Sequence, residues 1–75
     1  MGGIRIMTEL SLAAVERIIK KAGAERISAD ATETLAGLME EYGVFLAREA
    51  KKMSDHAGRK TLRGADIHMA AEMFK

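Results

Sequence analysis

An all-α protein of three helices, short, long and short, is the fold class this sequence predicts. Apolar residues recur at spacings of three and four along most of its 75 positions, the period of a helix with one buried face. Proline is absent, and Gly23 and Gly58 interrupt the pattern where a residue free to turn left-handed would end a helix. Composition adds a third observation: 48% of the residues are hydrophobic, yet Tyr42, Phe45 and Phe74 are the only aromatics. A chain this short is near the lower limit for a self-sufficient core, and it has no cysteine to reinforce one. So much aliphatic surface on so little chain predicts an obligate oligomer.

The elements follow in order. Residues 1–7, with two glycines, read as a flexible leader ahead of a single domain at 8–75. The first helix is expected from about Ser11 to Ala22, where Leu12, Val15, Ile18, Ile19 and Ala22 form one apolar stripe. Gly23 ends it. Ser28 is a suitable N-cap for the middle helix, and Asp30 falls in the first turn, where an acid favours the helix dipole. That helix is expected to reach about Ala57, roughly 43 Å at 1.5 Å per residue. Leu35, Met39, Tyr42, Leu46, Ala50, Met53 and Ala57 hold its spacing. Two short neighbours in one chain cannot cover so long a helix. The third helix is expected from about Ala65 to Phe74, with Ile67, Ala70, Ala71 and Phe74 on one side.

Net charge is only +1, so the distribution of charge is more informative than its sum. Arg17, Lys20, Lys21 and Arg26 lie close together, as do Arg48, Lys51, Lys52, Arg59, Lys60 and Arg63. Between these groups Asp30, Glu33, Glu40 and Glu41 form an acidic stretch with no basic residue. A basic face and an acidic face are the expectation. No run approaches the roughly 20 apolar residues of a membrane span, and no signal segment opens the chain. The default is a cytoplasmic protein with no membrane partner.

Two short basic loops flank the long helix. In the second, Arg59-Lys60-Thr61 puts two cations beside a hydroxyl, a combination suited to phosphate oxygens. In the first, Arg26 and Ser28 surround Ile27. Ile27 and Leu62 are expected to turn inward while their polar neighbours face out. His56 and Asp66 bracket the second loop, but no third residue has metal-ligand or catalytic spacing. No active site, metal or cofactor is expected.

The runs "RIIKKAGAERIS" at 17–28 and "HAGRKTLRGADI" at 56–67 resemble the short, tailless histones of archaea, and the likeness extends over residues 8–75. It implies the histone fold, in which two chains clasp head to tail with crossed long helices and the first loop of one lies beside the second loop of the other. It implies a chromatin architectural protein that bends and wraps double-stranded DNA with little sequence preference. Homodimers would associate into tetramers or larger assemblies on DNA, and pairing with other histones is open. Such a protein would sit on the chromosome in the cytoplasm.

The DNA-contacting residues so implied are Arg17, Lys20 and Lys21 on the first helix, Arg17 resembling an arginine that enters the minor groove. They continue with Arg26 and Ser28 in the first loop, then Arg59, Lys60, Thr61 and Arg63 in the second. The resemblance also implies an ion pair between Arg59 and Asp66 within the chain. Between dimers it implies a junction of His56 and Asp66 with apolar support from Met53 and Leu62. A capping role alone is the plainer reading of His56. Three departures stand out: Ser11 and Ala14 where relatives often carry proline, Gly64-Ala65 where they carry alanine and an acid, and apolar Val44 and Phe45. The last leave room for a second reading, a heterodimerisation module of a transcription or replication complex that does not wrap DNA.

Overall fold

The computed structural model describes residues 9–75, so the leader expected at 1–7 lies outside the described residues. Three helices and no strand are found among them: α1 (Leu12–Lys21), α2 (Ala29–His56) and α3 (Gly64–Met73). The chain resolves into two units, one ending at Glu41 and the other spanning Tyr42–Lys75. The division falls inside α2, whose 28 residues form one unbroken helix.

In the first unit, local chemistry sets every helix end. Ser11 stands one residue outside α1 as its N-cap, its Oγ accepting the Ala14 N–H at 3.2 Å. Lys20 and Lys21 occupy the last turn, where cations favour the dipole. Gly23 takes φ +104°, and its N–H donates to the Lys20 carbonyl. Ser28 starts α2 in the same manner as Ser11, accepting the Ala31 N–H at 3.0 Å. The Glu9 N–H donates to Glu40 Oε1 at 2.7 Å, tying the approach to α1 onto α2.

Burial in this unit falls on small residues. Val15 is 1% exposed and Ala36 is fully covered, while Leu12 and Ile18 of the same α1 stripe stay 41% and 44% exposed. Periodicity therefore picks the apolar face correctly, but a single chain covers only the centre of it.

In the second unit, Ala50 on α2 and Ala70 on α3 are fully buried, and such small side chains let helix backbones approach closely. Phe45 and Phe74 meet edge to face, 5.1 Å between ring centres and 84° between planes, a favoured aromatic geometry. Leu46 and Met53 are half-buried and Tyr42 is exposed. Gly64 is the first residue of α3 rather than the residue before it, so its helix-weakening effect acts only at the first turn.

Candidate nucleic-acid interface

The second loop is built by the end of α2. Gly58 adopts φ +74°, its N–H donates to the Asp55 carbonyl, and the Arg59 N–H reaches back to the Ser54 carbonyl. This is a Schellman stop, which satisfies carbonyls that the helix end would otherwise leave open. Ser54 sits beneath the turn with 3% exposure. Its hydroxyl lies 3.2 Å from the Arg59 carbonyl and 3.1 Å from that of Thr61, so one proton is shared between them.

Asp66 closes the loop from the other side. Its carboxylate accepts the Arg63 N–H at 2.9 Å and so caps α3. It also takes two parallel bonds from Arg59, Nη1 to Oδ2 at 3.0 Å and Nη2 to Oδ1 at 2.9 Å. The fork-to-carboxylate match is the strongest form of such a pair. The Arg59 guanidinium holds the Asp66 carboxyl down at about 2, with the Arg63 N–H assisting. Arg59 is correspondingly shifted upward. The carboxylate thus stays ionised through any ordinary pH.

Around this frame the exposed side chains find no partner among the described residues. Lys60, Thr61 and Arg63 are exposed. Arg59 is half-buried, with two of its five N–H donors on Asp66 and one more weakly on the Thr61 carbonyl at 3.4 Å. In the first unit Arg17, Lys20, Lys21 and Arg26 are exposed. Ser28 is exposed too, although its Oγ already accepts from α2. Each loop therefore presents cations from a backbone fixed by hydrogen bonds, which suits phosphate oxygens.

Of the junction residues named from sequence, Met53 is half-buried, His56 is exposed at the last residue of α2, and Leu62 stays 43% exposed. Leu62 does not turn inward in the single chain. Asp66 is 4% exposed, and no hydrogen bond joins it to His56 among the described residues. Sequence reasoning missed Ser54. The signal was present: Ser54 follows Ala50 by one helical turn on the buried face of α2, where a hydroxyl needs acceptors.

Two of the open grooves on the described surface lie one in each unit. One of about 390 Å³ in the first unit has Leu12, Ala13 and Ile27 beside Glu16 and Glu33. The other, about 550 Å³ in the second unit, sets Val44, Ala47 and Leu62 beside Arg48 and Lys51 and runs out onto Arg59 and Lys60. No group of three or more potential metal ligands occurs among the described residues, and no described helix is long and apolar enough to cross a membrane.

Residues 8–71 match the family described as histone-like transcription factor (CBF/NF-Y) and archaeal histone. The chain is similar to one of the subunits of archaeal histone HAN1 from Thermococcus zilligii, 44% identical over 66 residues that cover 88% of this chain and 98% of the relative. It is also similar to probable archaeal histone 3 of Methanocaldococcus jannaschii, 41% identical over 64 residues, 85% and 96% of the two chains.

Proposed function

This chain belongs to the family of histone-like transcription factors and archaeal histones, and from that premise we propose that it is a DNA-binding chromatin architectural protein. It acts as a homodimer, bends and wraps duplex DNA, and associates further along it. It works on the chromosome, in the cytoplasm, by binding alone rather than by catalysis. The observation that carries this reading is the second loop. There the Schellman stop, Ser54 and the Arg59–Asp66 pair fix a backbone that displays Lys60 and Thr61 to solvent.

Affinity in such an arrangement comes mainly from phosphate neutralisation and counterion release, so it is indifferent to base sequence. Arg17 adds a side chain for the minor groove when the duplex bends. Arg26 and Ser28 of the first loop, with Lys20 and Lys21 on α1, extend the phosphate-binding surface. Arg63 does the same beside Lys60. His56, Asp66, Met53 and Leu62 form the contact between neighbouring dimers.

Nuclease digestion of the complex on long DNA tests the reading. Dimers adding in series give a ladder of protected lengths with a constant increment. Binding without any protected ladder favours the second reading, an interaction module that does not wrap DNA. The half-exposed Val44 and Phe45 are the observation on its side.

A further inference from the structure

The two grooves carry opposite charge over similar apolar floors. Glu16 and Glu33 edge the groove of the first unit, and Leu12 and Ile27 lie within it. Arg48 and Lys51 edge the groove of the second, over Val44 and Ala47. The side chains of Glu16, Glu33 and Arg48 make no hydrogen bond or ion pair among the described residues. Lys51 holds Asp55 at 2.8 Å, but both side chains are largely exposed, and such a pair is weak and readily exchanged. Leu12 and Val44 are each more than 40% exposed. Both grooves therefore have an apolar floor that water covers poorly and charges left without a mate.

Duplex DNA matches only the cationic groove and is repelled by the acidic one. A second copy of this chain matches both. In a two-fold pair each surface of one copy meets its complement on the other, so an acidic groove and a basic groove can be matched twice in one dimer.

Building on the homodimer reading, we propose that Glu16 and Glu33 of one copy face Arg48 and Lys51 of the other, and that charge at these four positions determines which chains pair. The apolar floors supply attraction that any histone partner could share. The charges supply discrimination, because a partner with the wrong sign at one groove brings like charges together at one contact, and at both when it pairs with itself.

Two variants test this: Glu16→Lys with Glu33→Lys, and Arg48→Glu with Lys51→Glu. Each alone makes both of its grooves the same sign, and its self-association should weaken at least tenfold at low salt. Mixed in equal amounts, the two variants are complementary at both contacts and should form almost exclusively mixed dimers by native mass spectrometry. The preference should fade at 1 M salt, where screening acts within about 3 Å. If either variant fails to fold alone, recovery of helical circular dichroism on mixing supports the proposal, and no recovery overturns it. Statistical mixing of the two, or self-association as tight as the parent's, overturns it as well. Unchanged pairing with weaker DNA binding would instead assign Arg48 and Lys51 to DNA. Sedimentation of the unaltered protein is the separate control: a monomer there defeats the homodimer reading itself, whatever the variants do.

Discussion

Arg59 and Asp66 are joined across the turn between α2 and α3 by two parallel hydrogen bonds of 3.0 and 2.9 Å. The same carboxylate caps α3 through the Arg63 N–H. One acidic side chain therefore fixes both the end of the loop and the start of the next helix.

Acid should undo this. The Asp66 carboxyl is lowered from 3.8 to about 2, so the folded chain binds fewer protons than the unfolded one in that window. Its contribution is complete above about pH 5 and is lost as pH falls towards 2. Asp66→Asn should lower the thermal midpoint at pH 6. The gap between variant and parent should then narrow steadily from pH 5 to pH 2, and a gap that stays constant would contradict the assignment.

Lys60→Ala isolates the DNA contribution better than any change at Arg59, whose guanidinium also holds the loop together. Affinity should drop on all duplex sequences alike. The slope of log affinity against log salt should flatten by about 1 for each phosphate contact removed. Arg59→Ala should flatten it too but also lower the thermal midpoint without DNA. An unaltered slope in Lys60→Ala would remove that residue from the interface.

Dilution probes the dimer. Leu12, Ile18, Leu38 and Tyr42 are each over 40% exposed in one chain, so folding should be coupled to pairing. A hundredfold dilution then costs about 2.7 kcal/mol of apparent stability, visible as a lower thermal midpoint. A midpoint independent of concentration would show that the single chain is stable alone.

Two glycines should respond with opposite signs. Gly64 has an ordinary helical backbone and open space where a Cβ would sit, so Gly64→Ala should stabilise by about 0.4–1 kcal/mol. Gly58 also has room, but its φ of +74° disfavours any side chain, and Gly58→Ala should destabilise by about 1–2 kcal/mol. Thermal melts of the two variants at equal concentration decide it.

His56 is exposed and outside the Arg59–Asp66 pair, so His56→Ala should leave the dimer intact while shortening the nuclease ladder. Full-length footprints in that variant would remove His56 from the contact between dimers.

Most of the helix boundaries were legible in the sequence because they rest on local chemistry. Ser11, Gly23, Ser28 and Gly58 each act within four residues of their own position. The small discrepancies, Ser11 and Ala22 outside α1, Ala57 outside α2, and Gly64 inside and Phe74 outside α3, are single positions at helix ends. Coverage was less legible. Leu12, Val15 and Ile18 belong to one stripe, yet only Val15 is buried in the single chain, because periodicity marks a face and not what lies against it. The roles of Ser54 and Asp66 depend on a turn that folds residues five to seven positions apart onto one another. Helical spacing places Ser54 on the buried face of α2 but does not say which carbonyls its hydroxyl meets.

The apolar residues left open on the lone chain have a consequence for its life in the cell. Leu38, Met69 and Met73 are more than half exposed until something covers them. A newly made chain without a mate is therefore a target for proteolysis and for self-aggregation, since large apolar patches invite both. Pairing covers these residues, so the hazard falls on chains too dilute to find a second copy and fades as the protein accumulates.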